Sequence, residues 1–421
     1  MKFFFPDSQD QVDPSFDFKT EQRSIYRVRQ RDDRYAHEVI QPAPYDGLLL
    51  SKPIVDGLPG ASGKYTAAQR NRLYREGARR FFRLANGPST LRVMGDCGAF
   101  TYVREREPVY TVDEVIEFYD GCEFDIGISP DHAVFGYDAA LDESGPGDVP
   151  EDWRFRQQLT VSLAGEFLAA HKQRRCTFEP VAVAHGWSPR SYASSVQDLQ
   201  KVGYRRIALG GMVPLKTPDI LASLKAVRPV LARRTELHLL GVTRTAHVQE
   251  FARHRVTSFD STSPFMQAFK DDKDNYYALD RTYVAIRVPQ VDGNTKLRSM
   301  VTAGLVDQRQ ARRLERTCLE RLRKFDAERC SVSSVIDAVC SYSALLGDTK
   351  DRSSTYTETL EARPWRSCSC TVCASIGVEV IIFRGADRNR RRGFHNLSVF
   401  ARRLSRDLNA VPGTKTGAQR A

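Results

Sequence analysis

The chain has 421 residues, 41% of them hydrophobic and 27% charged, and it carries a formal net charge of +11. Such a composition excludes an intrinsically disordered chain, and no apolar run approaches the roughly 20 residues of a membrane helix. The basic excess points to a polyanionic partner such as nucleic acid.

The N-terminal MKFFFPDSQD meets a proline and an aspartate at once, so its apolar run is too short for a signal peptide, and the expected location is cytoplasmic. From about residue 45 to 265, short apolar runs alternate with longer amphipathic segments in the rhythm of repeated βα units. Strands are expected at GLLLS (47–51), LRVMG (91–95), FDIGI (124–128), EPVAVAH (179–185), RIALG (206–210), ELHLLGV (236–242) and VTSFD (256–260). Helices are expected at 65–84, 111–119, 151–173, 189–202, 217–233 and 246–254, several with Thr, Ser, Pro or Asp near their starts. With YVAIRV (283–288) as an eighth strand, the pattern suits an eight-stranded (β/α) barrel of the TIM type. A dinucleotide-binding sheet is disfavoured, because no G-x-G-x-x-G turn follows the first strand. Residues 294–348 read as helical, with Ala311, Leu314, Cys318, Leu322 and Phe325 recurring on one face. The expected organisation is a barrel catalytic domain over 1–350 with an N-terminal extension and a helical insertion, a zinc-binding subdomain over 351–405 and a flexible tail over 406–421.

Six of the nine cysteines are scattered without pattern, as in reduced intracellular thiols. The other three, Cys368, Cys370 and Cys373, fall within six positions, and His395 follows 22 residues after the last. Closely spaced cysteines on a tight loop supply three tetrahedral sulfur ligands and a distant histidine closes the site, so a structural Zn2+ is expected; a catalytic zinc would keep a position open for water. VEVIIF (378–383) reads as a strand that lets the chain leave and return, with His395 near the start of a helix. Arg384, Arg388, Arg390, Arg391, Arg392, Arg402, Arg403 and Arg406 crowd the same region and are expected to form a basic surface that holds phosphates.

In a (β/α) barrel the active site gathers at the C-terminal ends of the strands, which singles out the residues just after each one. These are Asp96 and Phe100 in DCGAF, Asp131 in SPDHAVF, His185 and Gly186, then Gly210, Gly211 and Met212, then Leu240 and Gly241, and finally Asp260. Taken singly, each aspartate also fits a helix cap. As a set, three carboxylates at one mouth, with glycines that admit a ligand to the backbone, suit chemistry at a sugar carbon bearing a base. One carboxylate attacks the anomeric carbon while another moves protons on the leaving group.

Together these residues resemble the tRNA-guanine transglycosylase family, zinc-bearing (β/α) barrels that exchange a guanine in nucleic acid for a 7-deazaguanine. The C-x-C-x2-C…H pattern is similar to the family's zinc site and implies Cys368, Cys370, Cys373 and His395 as ligands. DCGAF resembles the D-S-G-G-F segment, which implies Asp96 as acid/base and Phe100 as a side chain that stacks on the base. FDIGISPD resembles the archaeal D-I-G…D segment and places Asp131 at the edge of the base; ALGGM resembles the glycine-rich stretch whose backbone contacts it, here Gly210, Gly211 and Met212. Leu240 is expected to line the same pocket. SFDS resembles the segment bearing the nucleophile, which falls on Asp260. Where bacterial members carry Gln-Gly this chain has His185 and Gly186, and where they carry Pro-Thr-Arg against tRNA it has Pro264, Phe265 and Met266. No further C-terminal RNA-binding domain of the archaeal kind is expected in what remains. With the N-terminal FPDSQDQVDPSFDF and RVRQRDDRYAHE segments, these departures resemble the DNA-modifying branch, the DpdA type. The resemblance implies a pentosyltransferase that puts 7-cyano-7-deazaguanine into DNA in place of guanine, with a partner ATPase. The same exchange on tRNA is one alternative, and a non-catalytic zinc-bearing nucleic-acid-binding subunit is another.

Overall fold

In the computed structural model, which describes residues 1–84, 90–144 and 146–410, eight parallel strands close into a barrel in chain order. They are β1 (Lys2–Pro6), β2 (Gly47–Ser51), β3 (Arg92–Asp96), β4 (Ile126–Ile128), β5 (Glu179–Ala184), β6 (Arg206–Leu209), β7 (Glu236–Leu239) and β8 (Val256–Asp260). Strands buried on both faces need apolar residues at successive positions, which is why β2, β5 and β6 read as continuous runs rather than alternating ones. Inside, Phe4, Leu49, Met94, Ile126, Ile128, Val181, Val183 and Ala208 form one buried cluster, and Leu240 packs against it. The barrel is therefore filled, and a substrate is confined to its mouth.

Outside, helices pack on the strands through aromatic rings. Phe118 lies edge-on to Phe124 with centroids 5.1 Å apart, and Tyr119 meets Phe178 at 5.6 Å. Glycine on β3 and β4 makes room for them: a Cβ at Gly95 would come within 2.3 Å of the Tyr119 ring, and one at Gly127 within 2.6 Å of Phe178. The helices Ala67–Phe81, Val112–Gly121 and Pro189–Val202 begin at Thr66, Thr111 and Ser188, whose hydroxyls accept from the backbone N–H three residues on.

The eighth strand is not where the sequence places it. It is β1, formed by KFFFP, which hydrogen-bonds to β2 on one side and β8 on the other. All three of its phenylalanines are buried, with Phe3 stacked on Phe259 at 5.3 Å and Phe5 on Tyr45 at 5.6 Å. The residues expected to be that strand, 283–288, form short pairings elsewhere: Thr282–Tyr283 runs antiparallel to Tyr276–Tyr277, and Ile286–Arg287 parallel to Ile382–Phe383.

The chain divides into two compact units, one built from Met1–Gln9, Tyr45–Thr262 and the segment from Leu404, the other from Asp10–Pro44 and Ser263–Arg403. The first contains the barrel. The second contains the helices Thr295–Thr302, Gln308–Asp326, Val332–Leu345 and Ser353–Ala362, and Ala311, Cys318, Leu322 and Phe325 are buried as the periodicity predicts. Of the tail expected from 406, residues through Asn409 continue a long helix, and 411–421 lie outside the described residues.

The arginine cluster is also different from expectation. Arg384, Arg388, Arg391 and Arg392 are buried rather than spread on a solvated face. Arg384 pairs with Glu21 and Glu315, and Arg388 with Glu21 and Glu379, the latter at 2.7 Å. Arg392 donates to the carbonyls of Val380, Ile382 and Ala268, and Arg391 to that of Asp13. A guanidinium has five donors in a rigid plane, so it can satisfy several carbonyls and carboxylates at once where water is excluded. Burial by itself would raise the Glu21 carboxyl, but Arg384 and Arg388 override it and hold it down at about 2. Phe18 lies beneath the Arg388 and Arg391 guanidinium groups, 5.4 Å and 4.9 Å from ring centroid to Cζ.

Candidate active site and metal site

β8 ends on Asp260, which is 7% exposed. Its Oδ1 accepts from the Gly241 N–H at 3.0 Å and from His238 Nε2 at 3.1 Å. His238 projects from β7, where a register shift between Leu237 and His238 sets it opposite Ser258, and its Nδ1 lies 2.9 Å from the Ser258 hydroxyl. With Nε2–H donating to the carboxylate and Nδ1 accepting from Ser258, the neutral imidazole satisfies both neighbours. Among the described residues nothing hydrogen-bonds Oδ2 of Asp260, and the side chain keeps 10% exposure. One oxygen is thus held while the other is left to face the mouth.

Asp96 ends β3. Its carboxyl is pushed up to about 7, first by burial and then by the neighbouring Asp131 and Asp260 charges; the Gly98 N–H and the Ser51 hydroxyl relieve this only in part. The three aspartates expected from the strand ends are therefore close enough to act on one another, and the group between acid and base forms near neutral pH is Asp96.

Asp131 is 4% exposed and both its oxygens are occupied: Oδ1 accepts from the Cys97 thiol at 3.0 Å and Oδ2 from His185 Nε2 at 2.7 Å. Tyr102 donates to Cys97 Sγ at 3.1 Å, closing a buried polar chain behind the mouth. The loop that bears Asp131 is braced from below, since His132 Nε2 meets the Glu105 carbonyl at 2.8 Å and its Nδ1 meets Arg156 at 2.9 Å. Burial, with the Arg156 charge, keeps the His132 pKa below its usual value, as befits a neutral ring that accepts from a guanidinium.

His185 is 1% exposed, and among the described residues its buried Nδ1 has no hydrogen-bond partner. Gly210 is what lets the ring sit there, and Gly211 lets the backbone pass the next loop. A Cβ at Gly210 would fall 2.3 Å from His185 Cε1, and one at Gly211, where φ is +72°, would fall 2.3 Å from the Val134 carbonyl. The Gly210 carbonyl accepts from Tyr192 at 2.8 Å, Met212 is fully buried, and Leu240 is half-buried against the barrel core. Phe100, by contrast, is 71% exposed and held edge-on by Phe135 at 5.6 Å, presenting an aromatic face.

The second unit brings Cys368, Cys370, Cys373 and His395 together, with their ligand atoms all within 4.8 Å of one another. The Sγ atoms lie 3.6, 3.4 and 3.3 Å from His395 Nδ1. Tetrahedral coordination at the usual zinc–sulfur and zinc–nitrogen lengths calls for a separation of about 3.5 Å, so the four donors fit a metal of that kind. His395 Nε2 donates to the Tyr277 carbonyl at 2.7 Å, which fixes Nδ1 as the ligating nitrogen. Tyr276 stacks on the imidazole at 4.0 Å and reaches Cys373 Sγ at 3.2 Å. The sequence places His395 near a helix start; it sits instead inside the helix Gly385–Asn409, and the expected strand 378–383 is a 3-10 turn ending in the two-residue strand Ile382–Phe383.

No protein-family model matches the chain. A protein of Salmonella montevideo named DNA-guanine transglycosylase is 49% identical over 413 residues, which cover 97% of this chain and 98% of the relative. This chain belongs to the guanine transglycosylase family. As a guanine transglycosylase it is an enzyme that exchanges guanine, and among the described residues no helix is long and apolar enough to cross a membrane.

Several residues of this guanine transglycosylase's mouth escape a reading by strand ends. His238 sits within β7, flanked by Leu237 and Leu239, and the signal was its position: the strand's alternation turns 238 and 240 inward. Cys97 and Tyr102 lie inside or just beyond DCGAF and act on Asp131 rather than on the mouth. Gln157, on the helix Glu151–Arg174, donates to the His185 carbonyl at 2.7 Å and to that of Ser191 at 3.2 Å, and nothing in its local sequence marks it.

Proposed function

We propose that this guanine transglycosylase replaces guanine in DNA with a 7-deazaguanine, 7-cyano-7-deazaguanine, through a covalent glycosyl-enzyme on Asp260. The observation that carries the reading is the posture of Asp260, with Oδ1 held by Gly241 and His238 and Oδ2 open toward the mouth. The name of the Salmonella relative supports DNA as the polymer.

Asp260 attacks C1′ of the target nucleotide, and the C1′–N9 bond breaks with its electron pair leaving on the base. Asp96, with a pKa near 7, gives its proton to the departing guanine. The incoming 7-deazaguanine then loses its N9 proton to the Asp96 carboxylate, and N9 attacks C1′ from the original face. The ester to Asp260 breaks in the same step, so two inversions retain the β configuration. His185, with Nε2–H committed to Asp131, fixes that carboxylate for the edge of the base. A guanine stacked in a duplex lies beyond the reach of a barrel mouth, so the target is flipped, and exposed Phe100 offers a surface on which to stack it. Zinc is the metal assigned to Cys368, Cys370, Cys373 and His395, where four protein donors leave no open position and its contribution is to folding.

Purified protein incubated with 7-cyano-7-deazaguanine and either duplex DNA or tRNA, each radiolabelled in guanine, tests the reading. Release of label from DNA is expected, with a protein–DNA adduct that survives denaturation and is absent from Asp260→Asn. Release from tRNA alone would replace the substrate, and release from neither would refute the exchange for the protein acting without a partner ATPase.

A further inference from the structure

In the second unit, residues 24–31 form a loop whose tip is apolar and bare. Ile25 is 88% exposed, Tyr26 84% and Val28 45%. Exposed apolar residues are ordinary when scattered, but three within four positions on a rigid loop form a patch. The loop is rigid because its polar groups are satisfied from within. Arg27 forms a two-pronged pair with Asp33, both contacts at 2.7 Å, and lies 3.1 Å from Asp13; both aspartates are buried. Asp32 accepts from the Val28 N–H at 2.6 Å, the Asp32 N–H donates to the Val28 carbonyl at 3.0 Å, and Asp33 accepts from the Gln30 N–H at 2.7 Å. A largely buried ion-pair network therefore props up side chains that stay exposed.

The charge around the tip indicates what it meets. Residues 22–35 hold five arginines and two aspartates. Asp33 is consumed by Arg27 and Asp32 by Arg31, while Arg29 and Arg34 are exposed and make no ion pair with a described residue. An apolar tip followed in the chain by unpaired guanidinium groups matches a nucleic-acid duplex: Ile and aromatic side chains enter between base steps and unstack them, and nearby arginines neutralise phosphates. An acidic or neutral protein surface would leave the stacking capacity of Tyr26 unused.

On the DNA reading above, we propose that the loop 24–31 is a duplex wedge, with Ile25 and Tyr26 inserting at a base step and Arg29 and Arg34 on the adjoining phosphates. Insertion loosens the stack, which lowers the cost of flipping a guanine at the step the wedge enters.

The test uses the full chain and the double variant Ile25→Ser, Tyr26→Ser, whose sites are on the surface, with an Arg29→Ala, Arg34→Ala variant as the second arm. The probe is a guanine-containing duplex carrying 2-aminopurine, which brightens when unstacked, with binding followed by anisotropy. The wild-type protein is expected to brighten the probe. The apolar double variant should bind about tenfold to a hundredfold more weakly with an unchanged salt slope and no brightening. The arginine variant should lose about two units of that slope and still brighten the duplex it binds. Guanine exchange by the apolar variant should fall on duplex and stay near wild type on DNA whose target guanine lies in an unpaired bubble. Equal brightening by wild type and apolar variant, or equal loss of exchange on duplex and bubble, would overturn the wedge and leave the patch to a protein partner. Failure of the wild type to exchange guanine in either DNA would overturn the DNA reading instead, while brightening, which needs no chemistry, would still decide the wedge.

Discussion

Replacing Asp96 by asparagine should stabilise this enzyme at alkaline pH while disabling it. In the folded protein the Asp96 carboxyl is raised from 3.8 to about 7, first by burial and then by Asp131 and Asp260. A group whose folded-state pKa is raised contributes stability that is fully present below its unfolded value and is lost as pH rises through its folded value. Between pH 5 and pH 8, that single titration removes about 2.5 kcal/mol. The asparagine side chain cannot ionise and still offers an oxygen to the Gly98 N–H, so the variant lacks this loss. The assay is a pair of thermal melts by circular dichroism at pH 5 and pH 8, for wild type and Asp96→Asn. Other groups titrate in both proteins, so the quantity to read is the difference between them. At roughly 2–4 °C per kcal/mol for a unit of this size, the gap should move by roughly 5–10 °C in favour of the variant on going to pH 8. Parallel pH dependence of the two melting temperatures would refute the reasoning, because Asp96 would then be ionised at no cost in the fold.

Asp260→Asn should lower guanine exchange at least about a thousandfold and leave the fold intact, read from initial rates and the absence of a covalent adduct. His238→Phe removes a hydrogen bond to a charged acceptor worth about 1.5–3 kcal/mol, so exchange should fall by roughly tenfold to a hundredfold with Asp260 still present. Cys373→Ser should reduce bound metal from one equivalent per chain, measured by elemental analysis, and lower the melting temperature, since a structural metal contributes directly to folding. Arg388→Ala leaves Glu21 to Arg384 and Glu379 to Arg323, each with one guanidinium partner fewer, and should cost about 1.5–3 kcal/mol in denaturant unfolding, with no change in the salt dependence of DNA binding.

β2 through β8 were legible because parallel strands covered on both faces must be apolar along their length, and the intervening helices carry amphipathic patterns and caps. β1 was not, since KFFFP stands far from the βα rhythm and finds its role only by pairing with β8 across the whole barrel. The aspartates at the mouth followed from the rule that barrel sites gather at strand ends. His238 did not, because its partners Ser258 and Asp260 lie on the next strand and meet it through a register shift that no local pattern displays. The arginines around His395 looked like a solvated basic face because the acids that neutralise them are remote in sequence. Glu21 is 363 positions from Arg384, and no window along the chain contains both.

The closing of the barrel by its first strand sets the order in which the protein can be made. The Phe3–Phe5 segment leaves the ribosome before the other strands of the barrel, finds β2 after some forty residues, and then keeps an unpaired edge until Val256–Asp260 has emerged. At about 5–20 residues per second that edge is exposed for roughly 10–50 seconds, with three phenylalanines beside it. Asp260, the nucleophile proposed above, sits on the strand that ends this wait, opposite Phe4. Asp260 therefore reaches its place in the same event that seals the barrel, and a nascent chain whose barrel is still open has no assembled active site.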